Sequence, residues 1–518
     1  MKIFNYTARS LLSAHALHHP DRLIGLLRDF TAPRCFRRPI IPFKAHAMAI
    51  SKEVGGSTPV IEKRSLDYIP DNERHGTAFG QFTLWLGVNL NITAIVTGAL
   101  AVVLGGDVFW SLIGLLIGQV LGSMVMGLQA SFGPKIGLPQ MIRSRVQFGV
   151  FGAVIPLLLV SFLYVGFSAG GTLLAGQAVA RILSVSDWLG IVVFGTVTLL
   201  LATLGYRTIH SIAKVASVVG VCAFIYMFAA LLTHHDIGSL LAHRDFVARH
   251  FVFAVSLAAA WQISYGPYVA DYARYLPADT SRMKIFLAAS LGTVIGSQAA
   301  MTFGVFAAAL AGAAFSGREV QFVVGLGATG AMAMALYFIV GFGKITMMTL
   351  NAYSSYMSTA TIIGAFRHRD TVSVRHRFFY VLGMVSLAVV IAITGSHSFI
   401  KSFSSFLIFL LAFITPWSAI SIVDYFFVNG SNYDLQALSD PNGRYGKWNL
   451  PTIAVYVCGV LLELPFISSG FYTGPIARAL ADSDISWVIG LVATGLLYGL
   501  VARRRRRALP DQLIIPTN

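Results

Sequence analysis

Ala260-Trp261-Gln262-Ile263-Ser264-Tyr265-Gly266-Pro267-Tyr268 lies in the C-terminal half of an apolar segment and runs on into Val269-Ala270-Asp271-Tyr272. Proline removes a backbone donor and clashes with the preceding turn, and glycine adds freedom to unwind, so Gly266-Pro267 is expected to interrupt the helix. In hydrocarbon the freed amides and carbonyls are costly, and they are tolerated only where protein or a water-filled cavity satisfies them. An interrupted membrane helix carrying Trp261, Gln262, Ser264 and Tyr265 therefore reads as the wall of a small-molecule site. A proline kink within a belt of interfacial aromatics is the competing reading.

Composition sets the class around that stretch. Of 518 residues, 56% are hydrophobic and only 12% charged, with 49 glycines. Several apolar runs exceed the ~20 residues that cross a bilayer as a helix, and they are too long and too uniformly apolar for alternating transmembrane strands. A soluble α/β enzyme is excluded on the same ground. The net charge of +16 falls in short loops and at the chain ends, so it sets topology and does not suggest nucleic acid as a partner. Cys35, Cys222 and Cys458 are far apart, and neither a disulfide framework nor a metal site is expected.

The apolar runs give an all-α polytopic membrane protein with twelve transmembrane helices, spans 1 to 12. They cover about residues 81–104, 108–130, 148–183, 188–206, 215–233, 251–270, 285–311, 344–365, 378–395, 399–423, 450–469 and 487–502. Span 3 is too long for an upright helix and is expected to tilt. Span 10 is expected to be interrupted at Thr415-Pro416. Residues 322–343, rich in glycine and alanine, read as a partly inserted connection before span 8. The domains that follow are a cytoplasmic N-terminal region 1–80, a ten-helix core 81–424, a turn-rich cytoplasmic loop 425–449, spans 11 and 12 over 450–502, and a basic cytoplasmic tail 503–518.

Residues 1–47 carry eight Lys/Arg, two acids and four histidines without a long apolar core, which is not a secretory signal. Met48 opens an ordinary polar stretch, and the first 47 residues read as an extension from an upstream start. With the N-terminus inside, the inside loops and the tail hold 19 Lys/Arg and the outside connections six. That bias fits twelve spans with both termini cytoplasmic.

Spans 1 and 6 are each interrupted by glycine with polar or proline neighbours, and four uninterrupted spans separate them. This is the spacing of two inverted five-helix repeats, whose broken helices present helix ends and bare carbonyls to substrate and cation at the midplane. In span 1 the break is Gly87-Val88-Asn89-Leu90-Asn91, and asparagines at that depth are expensive unless paired. Carboxylates are almost absent at mid-membrane depth, so hydroxyls and carbonyls are the candidate cation ligands: Gly87 with Thr346 and Thr349, which lie near one another on span 8. Hydroxyls bonding back to their own helix are the alternative. Span 8 also carries Asn351-Ala352-Tyr353-Ser354-Ser355-Tyr356, where Asn351 and Ser355 share a face and offer hydrogen bonds to a flat heterocycle. Polar helix packing is the alternative there. Gly341-Phe342-Gly343-Lys344-Ile345 imitates the end of a phosphate loop but lacks its first glycine and its hydroxyl residue.

Several motifs together carry a family resemblance over about residues 66–424. They are Asp67-Tyr68-Ile69-Pro70, Gly133-Pro134-Lys135-Ile136-Gly137-Leu138-Pro139-Gln140 with Arg143-Ser144-Arg145, Tyr268-Val269-Ala270-Asp271-Tyr272-Ala273-Arg274-Tyr275-Leu276-Pro277, and Gly341-Phe342-Gly343-Lys344. In combination they resemble the purine-cytosine permease branch of the nucleobase:cation symporters. The resemblance implies a ten-helix core of two inverted repeats and cation-driven uptake of a nucleobase or related heterocycle. It also implies that an aromatic on span 3 and another on span 6 sandwich the ring, here Phe167 and Trp261, with the span 8 cluster on Asn351 and Ser355. Phe167 replaces the usual tryptophan. Gly171 replaces a polar residue and would leave that wall roomier. Leu350 stands where some members have a hydroxyl that helps bind sodium.

The expected function is a secondary active transporter of the plasma (inner) membrane that imports a cytosine- or purine-type nucleobase by alternating access. Phe167 and Trp261 stack the substrate. Gln262, Asn351 and Ser355 give it hydrogen bonds, and Asn89 orders the break in span 1. The coupling ion is Na+ or H+, no cofactor is expected, and the lipid bilayer and the small substrate are the partners. A vitamin, allantoin or hydantoin is the alternative substrate. A channel would need a continuous polar pore and an enzyme a catalytic cluster at one depth, and the sequence offers neither.

Overall fold

The computed structural model describes residues 68–204, 206–367, 374–429, 433–434, 437–438 and 440–508. The expectations placed on residues 1–67, on 368–373 and on 509–518 lie outside the described residues. Among the described residues the regular structure is helical, and the sole β contact is one isolated bridge between Ser468 and Thr473. In chain order the main helices are α1 (Ala78–Asn89), α2 (Ile92–Val103), α3 (Val108–Ala130), α4 (Gln140–Phe148), α5 (Val154–Leu183), α6 (Asp187–Leu204), α7 (Tyr206–His234), α8 (Ala248–Ile263), α9 (Gly266–Ala273), α10 (Arg282–Ala311), α11 (Gly330–Arg367), α12 (Val374–Thr394), α13 (Phe399–Val423), α14 (Leu450–Glu463) and α15 (Ser486–Ala508). Among the described residues seven helices are long and apolar enough to cross a membrane, eight if α1 and α2, bent by 61°, are one broken span.

Small residues set how closely these helices approach. On α3, Gly114, Gly118 and Gly122 recur every fourth residue and lie directly on the backbone of α8; a Cβ on Gly118 would stand 2.1 Å from the Val255 carbonyl oxygen. On α10, Gly292, Gly296 and Gly304 do the same against α1 and α2. With no water to exclude between helices in lipid, such small-residue seams are what permit tight packing. The outer faces are the reverse: Leu287, Leu291 and Ile295 form an exposed apolar stripe on α10, the surface a bilayer would cover.

Four boundaries differ from the sequence reading. Span 3 does not begin at Phe148: Gly149 adopts φ +84°, which favours glycine, and the chain turns before α5 starts at Val154. Residues 330–343 are no separate connection, because α11 runs unbroken for 38 residues from Gly330 and takes in Gly341-Phe342-Gly343-Lys344. A short helix, Glu319–Gly325, precedes it. Span 10 is not interrupted at Thr415-Pro416: α13 continues through Pro416, and the Thr415 hydroxyl donates to the Leu411 carbonyl oxygen in the preceding turn. Span 11 stops being α-helical at Glu463 where Pro465 follows.

Two polar knots tie the connections to the bundle. Asp424, fully buried just after α13, accepts from Gln147 Nε2 at 2.6 Å, Tyr498 Oη at 2.8 Å, Asn429 Nδ2 at 2.8 Å and Tyr433 Oη at 3.1 Å, which joins the end of α13 to α4 and α15. At the other end of the bundle Glu319 accepts from Gln177 Nε2 of α5 and from the Gly317 amide, both at 2.8 Å. Burial pushes the Glu319 carboxyl up, and the hydrogen bonds from Gln177 and Gly317 oppose that rise.

Candidate functional site

Two helix breaks meet in the middle of the bundle. Between α1 and α2 the chain leaves helical geometry at Leu90 (φ −80°, ψ 72°) and Asn91 (φ −146°, ψ 159°). Asparagine suits both sides of this break, since its short amide competes with the backbone for hydrogen bonds. Asn91 caps α2, its Oδ1 accepting from the Thr93 amide at 2.9 Å and the Ala94 amide at 3.3 Å. Its Nδ2 donates at 2.8 Å to the Val88 carbonyl at the end of α1. The Gly87 and Asn89 carbonyls accept from the Leu90 and Asn91 amides.

Asn89 joins this break to the second one. Its Nδ2 donates to the Trp85 carbonyl at 2.6 Å and to Thr293 Oγ1 at 2.9 Å. Its Oδ1 accepts from Trp261 Nε1 at 2.7 Å and Tyr265 Oη at 3.0 Å. The side chain is fully buried with its hydrogen-bonding capacity used. The break between α8 and α9 is slight: Ser264 and Tyr265 keep right-handed helical angles, and Ser264 Oγ donates at 2.7 Å to the Trp261 carbonyl. The expected interruption at Gly266-Pro267 is therefore a two-residue gap, with Pro267 in the first turn of a new helix, where its missing donor costs nothing.

The structure brings Phe167, Trp261 and Asn351 to one place. They line a cavity of about 30 Å³ with Tyr268, Lys344 and Met348. The rings of Phe167 and Trp261 touch edge to face, centroids 5.7 Å apart at 79°. A ring sandwiched between two others needs about 7 Å, two contacts of ~3.5 Å, so the pair is closed on itself. Asn351 Nδ2 reaches Ser168 Oγ at 3.4 Å. Alongside lies a larger cavity of about 210 Å³ between α1, α7 and α11, with Gly87 and Thr346 in its wall. Tyr268, Asn91 and Lys344 border both cavities.

Other sequence candidates lie elsewhere. Gln262 points away from both cavities into a polar seam: its Nε2 donates to Gln119 Oε1 and, at 2.9 Å, to Ser297 Oγ, while its Oε1 accepts from Thr293 at 2.6 Å. A helix turns 100° per residue, so Trp261 and Gln262 cannot both face the cavity. Asn89 stands behind Trp261 as its support. Ser355 is buried but lines neither cavity. Thr349 turns back to its own helix, donating to the Ile345 carbonyl at 2.6 Å, whereas Thr346 Oγ1 is buried without a partner. The wall at Gly171 is not roomy, because Met348 fills it: a Cβ on Gly171 would lie 2.7 Å from the Met348 thioether. Sequence reasoning passed over Lys344. Its Nζ donates at 3.0 Å to Asn91 Oδ1, and the residue is buried in the middle of α11. A lone charge in an apolar run was the available signal, lost when the run was cut at residue 344.

The family of permeases for cytosine/purines, uracil, thiamine and allantoin matches residues 68–490. The Bacillus subtilis (strain 168) protein named "Putative purine-cytosine permease YxlA" is 36% identical over 449 residues, 86% of this chain and 96% of that one. The purine-cytosine permease fcyB of Emericella nidulans is 25% identical over 465 residues, 85% and 87% of the two chains. Among solved structures, the inward-facing conformation of Mhp1 superposes with a TM-score of 0.71 at 19% identity, covering 88% of this chain and 96% of that one. Mhp1 closed with bromovinylhydantoin bound gives 0.69 at 18% identity, covering 87% and 97%. These likenesses show the fold. The chain belongs to the cytosine/purine, uracil, thiamine and allantoin permease family, and it is a multi-pass membrane transporter.

Proposed function

We propose that the protein imports a cytosine- or purine-type nucleobase, or a related flat heterocycle, by cation symport with alternating access. The observation that carries this reading is the aromatic pair Phe167–Trp261 beside the break in α1–α2, with Asn351 of α11 as a polar neighbour. Base–aromatic stacking contributes about 1–3 kcal/mol per ring, and a single amide supplies donor and acceptor to a heterocycle edge. Edge-to-face closure of the pair fits a carrier whose pocket forms only when one ring swings aside. The named purine-cytosine permeases among the relatives support the substrate class.

The same reading takes the protein as twelve spans. Seven long helices, the bent pair α1–α2, the three shorter apolar helices α6, α7 and α14, and the two-piece helix α8–α9 make up that number. The broken first and sixth spans, four spans apart, support two inverted five-helix repeats, and the excess of basic residues in alternate loops supports cytoplasmic termini in the plasma (inner) membrane.

The test is uptake of radiolabelled cytosine into cells expressing the protein, competed by purines, pyrimidines, allantoin, hydantoin and vitamins, with sodium present or replaced by choline. Saturable uptake blocked by one competitor class is expected. Non-saturable flux, or chemical change of the substrate on entry, would overturn the reading. Trp261→Ala should abolish saturable uptake with the protein still in the membrane, and normal uptake would remove the stacking role.

A further inference from the structure

We infer that Lys344 is the coupling group: its amine, held on Asn91 at the break between α1 and α2, supplies the positive charge in protonated form, so that a proton drives uptake. The inference rests on the reading of the chain as a cation-coupled importer and names the cation and its carrier.

Lys344 lies near the midpoint of α11, where a charge is costly and is retained for function. Its amine meets one neutral acceptor, Asn91 Oδ1 at 3.0 Å, and makes no ion pair among the described residues. Among the described residues no Asp, Glu, His or Cys lines either cavity that Lys344 borders; the other titratable groups lining them are Tyr265, Tyr268 and Tyr272. Gly171 of α5 lies beside its stem, Leu163 and Phe167 of α5 line the smaller cavity with it, and the described residues of α7 that line the larger one, such as Phe224 and Met227, carry no titratable group. A compact ammonium on a flexible stem is also the charged group best able to exchange its proton when its surroundings change.

Most of the oxygens that an inorganic cation would need already take part in a hydrogen bond. At the break, the Gly87, Val88 and Asn89 carbonyls accept from Leu90 N, Asn91 Nδ2 and Asn91 N, and Thr349 is bound to its own helix. Two hydroxyls in the cavity walls, Thr346 Oγ1 and Thr93 Oγ1, are buried without a partner, still fewer oxygens than a hard cation takes. The two helix ends at the break act in opposite senses on a charge: the carbonyl end of α1 favours it and the amide end of α2 opposes it. A small change in the break therefore tips the amine between its two forms. Because Lys344 lies in the wall common to both cavities, movement of the aromatic pair and of α1 reaches the amine directly. The cycle balances simply: the amine takes one proton from outside, the ammonium gives one up inside, and one proton enters per substrate.

The experiment reconstitutes the full chain in liposomes at zero membrane potential and follows labelled cytosine and hypoxanthine in wild type, Lys344→Gln and Lys344→Arg. We expect a proton gradient without sodium to drive accumulation in wild type, and a sodium gradient alone to drive none. Lys344→Gln should lose accumulation yet still exchange labelled for unlabelled substrate, since exchange requires no net proton movement; that exchange also proves a folded carrier. If Lys344→Gln cannot exchange, Lys344→Arg keeps the charge and should bind substrate without responding to the proton gradient. Sodium-driven accumulation in wild type, or proton-driven accumulation surviving in either variant, overturns the inference. Should wild type move neither compound, the substrate reading fails separately. Lys344 is then read without substrate, from the 13C-methyl resonance of dimethylated lysine that Lys344→Arg removes: movement with pH across the physiological range supports the role, and a fixed resonance overturns it.

Discussion

The two breaks at the centre of the protein are opposite in kind. Between α1 and α2 the chain bends by 61° with no proline present, and the Asn91 side chain takes up backbone groups on both sides of the bend while Asn89 ties it to α8 and α10. Between α8 and α9 a Gly-Pro pair is present, yet Ser264 and Tyr265 stay in the right-handed helical region. What bends a membrane helix here is a side chain able to substitute for the lost backbone partners, and the helix-breaking residues alone do little. In hydrocarbon the decisive cost is the unpaired group, so a helix opens where replacements stand ready.

The comparison breaks most visibly at Asn89, which belongs to both sites. Replacing it with alanine strands Trp261 Nε1 and Tyr265 Oη in a buried place and removes the contact between α1 and Thr293 of α10. Each buried unpaired group costs about 1–3 kcal/mol, so Asn89→Ala should lower stability by about 3 kcal/mol or more. A thermal melt of the detergent-solubilised protein reads it directly. An unchanged melting temperature would mean that the two breaks are held independently.

Gln262→Ala comes next. The structure ties Gln262 to Gln119, Ser297 and Thr293, and loss of those bonds should cost about 2 kcal/mol. The KM for the transported heterocycle should not change. A raised KM at unchanged stability would return Gln262 to the substrate pocket and make the α8 side of the comparison a binding surface.

These cases show what could be read in advance. Composition and run length were enough for an all-helical membrane protein, because hydrocarbon leaves a single chain few ways to satisfy its backbone. The pairing of Phe167 with Trp261 and the place of Asn351 were implied by the family resemblance, and the structure brings all three to one cavity. Which face a side chain takes was harder. Gln262 and Trp261 are neighbours in sequence, and only the packing of α3 and α10 decides that the amide turns to Gln119 while the indole turns to Asn89. Lys344 was illegible for another reason: the glycines and alanines of 330–343 look like a connection by composition, although in lipid they permit close packing as readily as they break a helix. The room beside Gly171 likewise depended on Met348, 177 residues further along the chain.

The smallest expected effect sharpens the comparison most, because it isolates the proline from the rest of the break. Pro267 occupies the first turn of α9, where φ suits proline and no helical donor is lost, and the two residues before Gly266 already have helical angles. Pro267→Ala should therefore leave the folded backbone as it is and add only unfolded-state freedom, a change of about 0.4–1 kcal/mol toward lower stability. Gly266 is a different matter, since a Cβ there would lie 2.1 Å from Gln129 Oε1 and the glutamine would have to move. Substituting the two positions separately thus distinguishes close approach from helix breaking as the reason for the Gly-Pro pair. If Pro267→Ala instead restored one continuous helix and arrested uptake, the α8–α9 gap would be a working hinge held open by proline, and the contrast with the asparagine-held break in α1–α2 would disappear.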